Sequence, residues 1–102
     1  MDGTIFATAT ASGRAGVAIV RVSGANALDA VRQMTAIENP RPRQAMFTEI
    51  HALDGTPIDN ALVLYFPCPH SFTGEDVVEF QTHGGRAIAA AMLENLSKIK
   101  GF

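Results

Sequence analysis

The run Val17-Ala18-Ile19-Val20-Arg21-Val22 constrains this chain more than any other. It is almost wholly apolar and rich in β-branched residues, which suit a pleated strand better than a helix. A strand of that kind is expected to be buried on both faces. Arg21 interrupts it, and an arginine near the end of a buried strand needs a partner or a route to solvent. The same conflict recurs in residues 76–82. There Val77, Glu79 and Gln81 fall on one face of a predicted strand, and Val78, Phe80 and Thr82 on the other. Glu79 is thus a second charge on an otherwise good strand.

The remaining segments arrange themselves around these two. Residues 4–9 are short and β-compatible, and residues 11–16 form a loop of small residues. Ser23-Gly24 ends the first long strand, and Ser23 or Asn26 can cap a helix. Ala27, Leu28, Val31 and Met34 recur at helical spacing, so the pattern predicts a helix over about residues 25–36. Residues 38–43 are rich in breakers. Residues 46–52 and 59–66 read as strands around Asp54-Gly55, a hairpin signal. A last helix is predicted near residues 86–98, with Ile88, Ala91, Met92, Leu96 and Ile99 on one stripe. The order is β-β-α-β-β-β-α. The economical architecture is two-layer α+β, a mixed sheet of about five strands with two helices on one face.

At 102 residues the chain makes at most one domain. Its formal charge of −2 and pI near 5.8 offer no broad basic surface for nucleic acid. The one cysteine, Cys68, excludes an internal disulfide and any multi-cysteine zinc site, which suits a reducing cytosol. No secretory signal is visible at the N-terminus, and no apolar run approaches a membrane span of roughly 20 residues. The chain closes on a predicted helix that finishes at Gly101 with Phe102 left over, which reads as a fragment continuing into a further strand.

Polar groups concentrate in residues 66–85, where Glu75, Asp76, Glu79, His70 and His83 accompany three glycines. Pro67 and Pro69 stiffen the loop at its start. Gly13-Arg14-Ala15-Gly16 is not a phosphate loop, because GxxxxGK[ST] occurs nowhere in the chain, and it lacks GxGxxG spacing. It reads as a turn between strands. Ser71-Phe72-Thr73-Gly74-Glu75-Asp76 reads as a turn into a strand, with Phe72 either a core anchor or a face for stacking a flat ligand. His83-Gly84-Gly85 precedes the last helix; His83 is a hydrogen-bonded structural residue, or a base or ligand. His51, His70 and His83 lie in separate elements without HExxH spacing, which argues against a metal site. For Arg21 and Glu79 two readings stand. They form an ion pair or lie exposed at a sheet edge. Alternatively Glu79 accepts parallel hydrogen bonds from the amino group and ring N–H of a planar heterocycle, and Arg21 pairs with a carboxylate or carbonyl.

Two long motifs carry a family resemblance. The segment from Ala9 to Gly24, through Gly13-Arg14-Ala15-Gly16-Val17-Ala18-Ile19-Val20-Arg21-Val22-Ser23-Gly24, is similar to the opening of the MnmE (TrmE) family of tRNA-modifying GTPases. So is Phe66-Pro67-Cys68-Pro69-His70-Ser71-Phe72-Thr73-Gly74-Glu75-Asp76-Val77-Val78-Glu79, followed by His83-Gly84-Gly85. The likeness covers essentially the whole chain and implies the N-terminal domain of such a protein. That domain is expected to bind 5-formyltetrahydrofolate or a related reduced folate and to form a homodimer with folate near the interface. Its fold would be similar to the folate-binding part of glycine-cleavage aminomethyltransferases. The resemblance puts the family's folate-contacting arginine on Arg21 and its glutamate on Glu79, with Glu79 reading the 2-amino and N3 edge of the pterin. Arg21 would contact folate or orient Glu79.

A further family segment with another folate-contacting lysine would lie beyond Phe102. The helical domain and the GTPase domain, with its GTP, Mg and K sites, are also absent, so no GTP hydrolysis is expected of this chain. The family implies a MnmG-type flavoprotein and tRNA as partners of the full protein, a cytoplasmic location, and modification of the wobble uridine at carbon 5. Two other readings compete. One is a structural dimerisation or interaction module in which Arg21 and Glu79 only neutralise each other. The other is a self-sufficient aminomethyltransferase using Asp76 or His83 as base.

Overall fold

The charged residue of each long strand is placed by the sheet's register. In the computed structural model, residues 3–8, 17–69, 74–99 and 101–102 are described. The elements are β1 (Ile5–Thr8), β2 (Val17–Ser23), α1 (Ala27–Met34), β3 (Met46–His51), β4 (Pro57–Phe66), β5 (Val77–His83) and α2 (Arg86–Ser97). They form one five-stranded sheet in the order β1-β2-β5-β4-β3.

Five strands and two helices match the expected two-layer α+β fold. The sheet is antiparallel at every strand pair. The one parallel contact among the described residues is an isolated bridge between Pro42 and Tyr65. The connection through α1 carries the chain from β2 to β3 at the far edge of the sheet. The two strands that do point the same way, β2 and β4, are separated by β5, so no parallel ladder forms.

The core lies on one face. Val20 and Val22 of β2, Val78 and Phe80 of β5, Ala61 and Val63 of β4 and Ile50 of β3 meet Ala27, Ala30, Val31 and Met34 of α1. Met92 and Leu96 of α2, with Ile99, close the same cluster. The expectation that residues 17–22 are buried on both faces is corrected here. Val20 and Val22 are fully buried, but Val17 is 52% exposed. Both helices pack on the Val20 side, so the opposite face carries Ile5, Val17, Phe47 and Leu62 as exposed apolar residues. Farther along that face, Val77 and Glu79 are buried.

Helix ends follow local chemistry. Asn26 sits at the N-cap of α1 without a side-chain cap bond. Its backbone N–H instead donates to Thr4 Oγ1 at 3.0 Å, tying the helix start to the chain just before β1. α2 runs Arg86–Ser97, within one residue of the predicted 86–98, and ends short of Gly101. The segment after it folds back: Thr4 N–H donates to the Gly101 carbonyl at 2.9 Å, and Phe102 stacks obliquely on Phe6, ring centres 6.2 Å apart.

Candidate ligand-binding face

Arg21 and Glu79 are register partners on adjacent central strands. The antiparallel pleat puts directly opposed residues on the same face, here the one away from the helices. Arg21 Nε donates to Glu79 Oε2 at 2.9 Å, and its terminal NH2 nitrogen donates to the same oxygen at 2.5 Å. No described residue donates to Oε1. The Glu79 side chain is 8% exposed and that of Arg21 36%. The carboxylate is therefore the fixed, desolvated member, and the guanidinium bridges it toward solvent. A carboxylate has about four lone-pair sites, so this arrangement leaves acceptor capacity on Oε1.

His83 ends β5 and is held by a residue that nothing in the sequence marks. Asp59, near the start of β4, accepts from the His83 backbone N–H at 2.8 Å through Oδ2. Its Oδ1 lies 2.9 Å from His83 Nδ1. Burial acts to raise the Asp59 pKa, but the backbone N–H and ring of His83 and the backbone N–H of Asn60 outweigh it and hold the carboxyl below its ordinary value. An ionised carboxylate only accepts, so Nδ1 carries the proton and Nε2 is the nitrogen left for other partners.

Asp76 has structural work. Its carbonyl accepts Gly24 N–H at 2.9 Å and its Oδ1 accepts Cys68 N–H at 2.9 Å. Burial first, then the Asp76 carboxylate, push the Tyr65 phenol above its usual pKa. Cys68 itself is exposed. The candidate loop Gly13-Arg14-Ala15-Gly16, and His70, Ser71, Phe72 and Thr73, lie outside the described residues. A shallow depression of about 250 Å³ opens on the helix-free face beside Gln81 and His83, walled by Val17, Phe47, Asn60 and Leu62.

Residues 4–101 match the sequence family described as GTP-binding protein TrmE N-terminus. The chain belongs to that family. The TrmE N-terminus match runs through all seven elements and includes both Arg21 and Glu79. The chain is 53% identical over 90 residues to the tRNA modification GTPase MnmE of Laribacter hongkongensis, covering 88% of this chain and 20% of that protein. It is 52% identical over 97 residues to the protein of that name from Phenylobacterium zucineum, covering 95% and 22%. With its namesake from the Wolbachia of Brugia malayi it shares 45% over 98 residues, covering 96% and 22%. The chain thus spans about a fifth of the length of the curated relatives it matches.

Proposed function

We propose that this chain is the tetrahydrofolate-binding and homodimerising domain of a GTPase that modifies the wobble uridine of tRNA. The observation that carries the folate reading is Glu79. It is a desolvated carboxylate on the central strand, clamped by Arg21 through Oε2, with Oε1 left as acceptor among the described residues. That acceptor fits the amino edge of a reduced pterin, which offers N–H groups in a plane. Arg21 acts here as the positioning residue for Glu79, one of the two roles the resemblance allows it. Strands hold such a group more rigidly than loops. The bound folate, 5-formyltetrahydrofolate or a close relative, would supply the one-carbon unit.

The rest of the activity belongs to parts of the longer protein. The relatives' name supports tRNA modification and GTP hydrolysis there. GTP and its Mg and K ions would sit in a GTPase domain, and tRNA and a MnmG-type flavoprotein would engage the full-length dimer in the cytoplasm. A second reading draws on the same ion pair. If Arg21 and Glu79 serve only to neutralise each other, the domain is a structural dimerisation module without a ligand.

Calorimetric titration with 5-formyltetrahydrofolate separates the two. The folate reading expects binding by a wild-type protein extended past Phe102, and a loss of about tenfold or more in its Glu79→Gln variant, the scale of a lost charge-assisted hydrogen bond. Equal binding by both proteins removes Glu79 from the site. No binding by the wild type favours the structural module.

A further inference from the structure

β5 presents three polar side chains in a row on the face away from the helices. Glu79, Gln81 and His83 alternate with the core residues Val78, Phe80 and Thr82. Four residues of strand span about 13 Å from the first of the row to the last. Gln81 is flanked in register by Ile19 on β2 and Leu62 on β4, both apolar. The far end of the row borders the 250 Å³ depression, where Val17, Phe47 and Leu62 expose apolar surface. That volume is below what a whole drug-sized ligand occupies and suits one arm of a longer one. At this end the His83 ring is 70% exposed, yet its tautomer is set by a carboxylate that is only 11% exposed.

We propose that Glu79, Gln81 and His83 form one elongated ligand strip, and that His83 Nε2 accepts the amide N–H of the folate's p-aminobenzoylglutamate tail. This rests on the folate reading of Glu79. With the pterin edge on Glu79, the benzoyl ring lies over Gln81 between Ile19 and Leu62 and reaches the depression. The amide linking ring to glutamate then meets the one nitrogen of the neutral His83 ring that Asp59 leaves as acceptor. Asp59 is a positioning residue: it fixes the Nδ1–H tautomer, which keeps the Nε2 lone pair outward. The exposed aromatic and aliphatic side chains cover the flat ring without directional demands.

The test compares two ligands on three proteins. Wild type, His83→Ala and Asp59→Asn, each in a protein extended past Phe102, are titrated with 5-formyltetrahydrofolate and with the same reduced pterin lacking its tail. The wild type is expected to prefer the tailed ligand. His83→Ala should cut that preference by about three- to tenfold, the scale of one net hydrogen bond, while leaving the tailless pterin's affinity unchanged. Asp59→Asn should lower the preference less, because an amide oxygen still accepts from Nδ1–H. The tailed ligand alone should shift the His83 Nε2 nitrogen resonance. If His83→Ala weakens both ligands alike, or neither, the strip is overturned while the Glu79 site stands. If the wild type binds neither ligand, the folate reading of Glu79 falls and the strip with it.

Discussion

Glu79 is buried more deeply than the arginine that neutralises it, and this inequality is measurable. Arg21→Met removes both donors from a desolvated carboxylate and should cost about 2–4 kcal/mol of stability, somewhat below the roughly 3–5 kcal/mol of a fully buried pair because Arg21 is 36% exposed. Glu79→Gln keeps the shape and an acceptor for a guanidinium that already reaches water, so it should cost about 1 kcal/mol or less. Urea unfolding of the two variants checks the order, and a larger loss in Glu79→Gln would mean that Arg21 is the more dependent partner. Both charges were legible in the sequence because each violates an apolar strand. Their pairing was only one open reading, since a sequence separation of 58 carries no register. The hold of Asp59 on His83 was not legible at all. Asp59 looks like any polar residue opening a strand, and only the β4–β5 alignment brings the two together.

Elements were easiest to read where a turn needs particular residues. The Asp54-Gly55 signal is realised with Gly55 at φ +93° and Thr56 N–H donating to Asp54 Oδ1 at 2.9 Å. β4 begins at Pro57, two residues before the predicted strand, which a proline tolerates because it is the first strand position. The helical period found both helices but overran their ends. α1 covers 27–34 where the pattern allowed 25–36, because Gly24 and Asn26 are committed to contacts near β1 and β5. Gly24 separates conformational strain from collision. Its φ is +143°, and an added Cβ would lie 2.7 Å from Thr4 Cα and 2.6 Å from Thr4 Oγ1. Because backbone cannot swing aside, Gly24→Ala should cost about 3 kcal/mol or more, combining strain with overpacking. Gly55→Ala meets open space and should cost only the strain of its φ, about 1–2 kcal/mol. Chemical denaturation of the two variants makes the comparison, and equal losses would remove the collision at Thr4 as the cause.

At the scale of the whole molecule, the strand that completes the centre of the sheet is the last one in the sequence. β1-β2 and β3-β4 are each antiparallel pairs of sequence neighbours, and neither touches the other across the sheet without β5 between them. α1 packs on both β2 and β5, so it too depends on β5 for part of its seat. Val78 and Phe80, fully buried, are the side chains through which the two halves share one core. Isolated two-stranded pairs are marginal in water, and contacts this distant in sequence must repay loop closure before they stabilise anything. A polypeptide of residues 1–66 therefore holds two strand pairs and a helix but no common core. It should show no cooperative thermal transition by circular dichroism, whereas residues 1–102 should melt in one step. Adding a polypeptide of residues 67–102, which carries β5 and α2, should restore a transition in the mixture. A cooperative melt in residues 1–66 alone would mean that α1 and the strand pairs close a core without Val78 and Phe80. The central strand would then be an addition to a standing fold, and the rigid placement of Glu79 would lose its basis.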